Sequence, residues 1–271
     1  MSTALDNADK NTFEATIMGG TKLCSRHLPQ DIIYCVGGVS VFFPLFTQFF
    51  NAASDIEKCC RPSIVNDKLA AEVIELVATV LDGNVSNQQQ MYLLSGLSIL
   101  GFLLQSATPQ LLTTKTLSAL KYMFDILRNC GNLLSLSLSL HSHACNKMYI
   151  TYTFSAYSGM SKVLLKDAIS QIFLNPQIWV YASYEVQRDL YMFVIKYFEI
   201  DGRLLPLLCG LPWVIDIVCR YYWEKADSRH VVASKPLLHP VTKQVIGERP
   251  KIVEIHKLRL LLLSLAEMSL K

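Results

Sequence analysis

The stretch NDKLAAEVIELVATVLDGN, residues 66–84, constrains the fold more than any other part of the chain. Leu69, Val73, Leu76 and Val80 recur at i, i+4, i+7 and i+11, which is one face of a helix. Lys68, Glu72, Glu75 and Thr79 take the opposite face, and Asp82-Gly83-Asn84 supplies C-cap and turn residues. The spacing predicts an amphipathic helix over Asn66–Leu81 with its leucine and valine stripe inward. One such helix cannot bury its own stripe, so it needs neighbours.

The chain supplies them in the same grammar. Ser86-Asn87-Gln88-Gln89 fits a capping box opening a helix from Asn87 to about Gln105. Thr108 reads as an N-cap with Pro109 at the first helical position. Thr116–Arg128 follows with Leu117, Leu120, Phe124 and Leu127 inward, and Gly131 just past its end. Lys162–Leu174 stops at Asn175-Pro176, and Ser183 caps Tyr184–Phe198, where Val186, Leu190, Phe193 and Tyr197 keep helical spacing. Pro212 opens Trp213–Glu224, with an Asp216/Arg220 pair at i, i+4. In that helix Trp213 is expected in the core and Trp223 partly exposed. Lys251–Leu270 is the last helix. Strand-like alternation is confined to Leu133–Leu140 (LLSLSLSL), which reads equally as an irregular linker.

Helices of this length joined by short capped turns predict an all-α fold, an armadillo-like α-solenoid of stacked helical hairpins. No strict fixed-length repeat accompanies it. The helical region is expected over 19–271, with a break at the Leu/Ser-rich stretch 131–160 and a long basic loop at 225–250. Residues 1–18 are polar and acidic and are expected to be disordered. Within IIYCVGGVSVFFPLF (32–46), Gly37-Gly38 suits a hairpin turn when read alone. In a helical chain it reads instead as a bend from a short helix, Asp31–Val36, into a second one. Ser40 would cap that second helix, and Pro44 would be tolerated in its first turn.

Composition narrows the class. The chain is 51% hydrophobic and 17% charged, against roughly 45–50% and 25% in a typical soluble protein. So little polar surface suggests a piece of a larger assembly or a buried partner face. No run reaches the ~18 apolar residues of a spanning helix; Met91–Leu104 comes nearest and reads as a buried core helix. The polar N-terminus resembles neither a secretory signal nor a transit peptide. The eight cysteines then belong to a reducing compartment, and a cytoplasmic chain is expected.

Catalytic and ligand-binding signatures are missing. Gly19-Gly20 and Gly37-Gly38 match neither GxGxxG nor GxxxxGK[ST]. No GxSxG or family-type Cys/His signature occurs, so no catalytic residue, cofactor or small-molecule substrate is expected. Cys130, His141, His143 and Cys145 have the residue types of a zinc site, but their spacing is unlike a zinc finger and no metal site is predicted. Cys59-Cys60 reads as ordinary thiols. Charge is regional: Lys225, Arg229, Lys235, Lys243, Arg249, Lys251, Lys257 and Arg259 stand against Asp227, Glu248 and Glu254. No aromatic residue follows Trp223, so nucleic acid is not expected. A solvated loop and attraction to an anionic membrane surface remain, the latter through Lys235, Lys243, Arg249 and Lys251.

Three segments together carry a resemblance. Gly19–Gln48 (GGTKLCSRHLPQDIIYCVGGVSVFFPLFTQ), Leu93–Leu120 (LLSGLSILGFLLQSATPQLLTTKTLSAL) and Asn175–Phe198 (NPQIWVYASYEVQRDLYMFVIKYF) resemble the helical region upstream of the pleckstrin-like and BEACH domains in neurobeachin-like BEACH-domain proteins, plant members above all. DIVCRYYWEK and HPVTKQVIGERPKIVEIHKLRLLLLSLAEM continue it in order. The resemblance implies a segment of a much longer chain, without catalytic residues. It also implies a scaffold that binds protein partners of the vesicle-trafficking machinery, peripheral on endomembranes. The alternative is a membrane-contact module using the basic region 225–259.

Overall fold

Gly37 and Gly38 form the first corner of the fold. The computed structural model describes residues 28–51, 64–141, 159–200, 210–223, 237–238 and 245–270. Residues 1–18, the Gly19-Gly20 pair and Cys59-Cys60 lie outside these. Helix α1 (Pro29–Cys35) ends at the glycine pair, where φ is +130° at Gly37 and +63° at Gly38. A 3-10 turn, Gly38–Phe42, leads into α2 (Phe43–Asn51), and the chain turns by 84°. The pair is a helix bend, not a hairpin. Ser40 lies inside the 3-10 turn rather than capping α2, with its hydroxyl donating to Gly37 O at 2.7 Å. Gln90 clamps the corner: its Nε2 donates to Gly37 O (2.8 Å) and its Oε1 accepts from Val39 N–H (2.7 Å). A Cβ on Gly38 would strike that same Oε1, so both backbone and neighbour require glycine.

Helix α3 (Ile64–Leu81) forms where its period predicts, but a different face is inward. Ala70, Ile74, Val77, Ala78 and Leu81 are buried, as is Val80 from the expected stripe; Leu69 and Val73 are half-buried and Leu76 is 44% exposed. The stripe is turned by roughly one residue step, ~100°. Its alanines are small enough to bring α3 close against α6, and a hydropathy period gives them little weight. Gly83, at φ +64°, ends the helix as expected.

The helix expected over 87–105 is two. Asn84, not the Ser86 box, caps α4 (Val85–Leu93), its side chain accepting from Asn87 N–H at 2.9 Å. Ser95 then adopts φ +50°, and α5 (Gly96–Ser106) starts afresh. Thr108 is extended and makes no side-chain cap for the short 3-10 turn Pro109–Leu111. Thr113 instead opens α6 (Thr114–His141), its hydroxyl accepting from Thr116 N–H at 3.4 Å. Leu117, Leu120, Phe124 and Leu127 are all buried. Gly131 does not stop α6, and the Leu/Ser run is neither strand nor linker but helix as far as His141.

In the second half α7 (159–167) runs on as a π-helical segment, Ala168–Phe173. Gly101 of α5 packs on its backbone; an added Cβ would lie 2.6 Å from Gln171 O. Helix α8 (Pro176–Trp179) carries the buried Trp179, whose Nε1–H donates to Ile172 O at 2.7 Å. Helix α9 (Tyr184–Ile200) begins at Ser183, whose hydroxyl accepts from Val186 N–H at 3.5 Å. Helix α10 (Leu211–Ile217) also ends in a π segment, Val218–Tyr222. Its inward residues are Val214, Ile217, Val218 and Tyr222, so Trp213 is only half-buried, against expectation, while Trp223 is 43% exposed. The buried stripe starts one position on from Trp213, at Val214, already within the α-helical part of α10.

The region expected to be a long basic loop contains a short antiparallel pair, β1 (Leu237–Leu238) and β2 (Val245–Gly247), with Leu237 opposite Gly247. Helix α11 (Ile252–Met268) closes the structure. Helix α3 packs on α6, α6 on α9, α9 on α11 and α11 on α10, around one continuous core. Phe124 sits at its middle, edge-on to Phe173, Phe193 and Tyr197 at 4.8–5.6 Å.

Candidate interaction surfaces

Two buried polar clusters fix how the layers stand, and thereby what the outer faces present. The first holds α1 on α4. Asn84 Nδ2 donates to Asp31 at 2.8 Å, and Asn87 Nδ2 donates to the carbonyls of Gln30 and Val80. The second joins α9, α10 and the segment that follows the short antiparallel pair. The Tyr191 and Tyr222 hydroxyls are 2.6 Å apart, and Tyr222 donates to Gln187 Oε1 at 2.8 Å. Gln187 Nε2 donates in turn to Ala182 O at 2.7 Å. Burial pushes the Tyr222 phenol up to about 12 and the Tyr191 phenol well above its ordinary value. Both stay neutral hydrogen-bonding groups rather than acids or bases at neutral pH.

Arg249 belongs to this second cluster. Its guanidinium lies 5.6 Å from the Tyr222 ring centroid and donates to Tyr221 O at 2.5 Å. Arg259 of α11 donates to Tyr222 O at 2.7 Å and stacks over Trp223. A helix end leaves carbonyls without intrahelical partners, and two arginines satisfy them here. Of the four basic residues singled out by sequence, Arg249 is therefore turned inward and engaged. Lys251 is exposed at the start of α11, its N–H donating to Glu254 at 2.9 Å. Lys235 and Lys243 lie outside the described residues.

Cys130 and His141 both lie on α6, eleven residues apart, which separates their backbones by ~16 Å along a continuous helix. Two ligands of one ion cannot bridge that. His143 and Cys145 lie outside the described residues, among which no group of three or more His, Cys, Asp or Glu gathers. No described single helix is long and apolar enough to cross a membrane; only the bent pair α1–α2 passes by length and composition.

Apolar side chains do reach the surface. Ile32 on α1, Val36 just after it, Leu93 at the end of α4 and Phe102 on α5 are 57%, 69%, 70% and 67% exposed. Sequence reading missed both these and the Gln187–Tyr191–Tyr222 cluster. The signal for the cluster was present: Gln187 and Tyr191 stand i, i+4 on the otherwise apolar inner face of α9.

Two stretches of the chain, 7–154 and 149–271, match the family model of the Neurobeachin/BDCP DUF4704 alpha solenoid region. The chain belongs to this family. The BEACH domain-containing protein B of Arabidopsis thaliana is 50% identical over 266 residues, covering 97% of this chain and 9% of that protein. Neurobeachin homologues of Caenorhabditis elegans and Caenorhabditis briggsae are 24% and 23% identical over 228 residues, covering 82% of this chain and 8% of theirs. The chain thus spans under a tenth of the length of these relatives. No solved structure matches it. The α-solenoid read from helix caps and spacing is the fold named for the family.

Proposed function

We propose that this chain is a non-catalytic helical scaffold segment that binds protein partners in vesicle and membrane traffic, on the cytoplasmic side of endomembranes. The observation that carries this reading is the large apolar residues left outward on helices whose inner faces are already packed, Phe102 and Leu93 foremost. Aromatic side chains such as Phe102 are enriched at protein interfaces, and apolar surface left exposed marks interaction sites. Membership of a solenoid family supports the same reading, since stacked helices offer long outer surfaces. The basic region is weaker support for a membrane surface, because Arg249 is engaged within the fold.

The test is paired. Purified chain is used to capture binding proteins, with Phe102→Asp and Leu93→Asp beside it, and is also sedimented with anionic vesicles. Proteins lost on Phe102→Asp, at an unchanged melting temperature, support the scaffold reading. Vesicle binding abolished by Lys235→Glu with Lys243→Glu, and untouched by Phe102→Asp, replaces it with membrane contact.

A further inference from the structure

The outer face of α11 reads alike in both directions. Val253, His256, Leu260, Leu263 and Glu267 on the helix, and Leu270 in the turn after it, follow at alternating spacings of three and four residues, and all are exposed. That spacing is the seam of a coiled coil. The inner face, with Ile255, Leu258, Leu262, Leu265 and Ala266, is already buried against α9 and α10. Four apolar side chains on the seam remain open: Val253 67%, Leu260 55%, Leu263 40% and Leu270 71% exposed.

A two-fold axis between Leu261 and Leu262 maps this seam onto itself. Val253 then meets Leu270, Leu260 meets Leu263, and His256 meets Glu267, each pair occurring twice. The imidazole can donate to the carboxylate whether or not it is protonated. A parallel pairing would set histidine against histidine and glutamate against glutamate. Only the antiparallel arrangement is complementary in charge.

We propose that α11 pairs antiparallel with α11 of a second copy of this chain. A self-complementary patch is what a two-fold interface requires. The seam offers on the order of 500 Å2 per copy, below the ~800 Å2 of a standard stable interface. The dimer is therefore weak and reversible, forming in the micromolar range or above. This contact goes beyond the scaffold reading and does not depend on it.

Sedimentation equilibrium on the full chain, from micromolar to near-millimolar concentration, tests the contact. A reversible monomer–dimer equilibrium is expected. Leu260→Asp should weaken it by at least about tenfold, because each of the two Leu260–Leu263 pairs in the seam loses an apolar partner and gains a buried charge. Its melting temperature should hold, since Leu260 is exposed; Leu263→Glu serves if it does not. His256→Glu should weaken the dimer by facing Glu267 with a like charge. Combining it with Glu267→Lys should restore the dimer, since the pair is then reversed rather than lost. A monomer at every concentration overturns the proposal and leaves the seam to a helix of a different polypeptide. A dimer indifferent to Leu260→Asp and Leu263→Glu, or a double charge variant no stronger than His256→Glu alone, overturns it as well.

Discussion

A single hydroxyl at Tyr222 ties three elements together, and its chemistry sets a pH dependence. Tyr222 donates to Gln187, meets the Tyr191 hydroxyl and lies under Arg249. Burial is the main reason its pKa rises from 10.0 to about 12; Arg249 and the Tyr191 hydrogen bond pull the other way. Below about pH 10 both folded and unfolded chains hold the proton, and the cluster contributes in full. Above it the unfolded chain releases protons that the folded chain retains, so stability falls as pH rises through 12. Denaturant midpoints measured across pH 10–12 should show this decline, and Tyr222→Phe should make it distinctly shallower, with Tyr191 still titrating. An equal slope in Tyr222→Phe would mean that the Tyr222 phenol is not held neutral by the fold. At neutral pH the same change should cost about 1–3 kcal/mol, because Gln187 Oε1 loses its donor inside the core.

At the scale of elements, the tryptophans separate what a helical period reveals from what it hides. Trp213, expected in the core, is half-buried, and the fully buried tryptophan is Trp179 on the four-residue α8. Trp179→Ala should cost about 3–5 kcal/mol, as large core truncations do, and should also free Ile172 O. Trp213→Ala should cost distinctly less. Thermal melts of the two variants check the order, and equal losses would return Trp213 to the core. The reason for the misreading is physical. A 3.6-residue period places a helix reliably, and α3, α9 and α11 form where their caps and spacing indicate, while α6 runs on past Gly131 to His141. Which side of a helix turns inward depends on neighbours that no local period contains. Alanines rotate α3, and in α10 the buried stripe starts at Val214 rather than Trp213. Ser95 breaks one expected helix by taking a left-handed conformation that a serine rarely adopts, so its residue type does not announce the break. Of the candidate basic site, position was legible and engagement was not: Arg249 looks like solvated charge until the carbonyls of α10 are seen beside it.

Across the whole molecule, helices are stacked in order, yet they share one core, and Phe124 is where its halves meet. It lies on α6, which packs on α3 on one side and on α9 on the other, and its ring touches Phe173, Phe193 and Tyr197. Stability in such a stack is close to a sum of layers and nearest-neighbour contacts, so cooperativity depends on each interface being strong enough to couple its neighbours. Phe124→Ala removes the ring on which α6, α7 and α9 converge and should cost about 3–5 kcal/mol. Its more telling effect should be on the shape of unfolding. All three tryptophans, Trp179, Trp213 and Trp223, lie in the second half, so their fluorescence reports that half, while far-ultraviolet circular dichroism reports every helix. In the unaltered chain the two transitions should coincide. In Phe124→Ala the fluorescence change should come first, with α1–α5 and the adjoining part of α6 holding helix to higher denaturant. Coincident transitions in the variant would mean that coupling runs through the whole α3–α6–α9 stack rather than through this one ring.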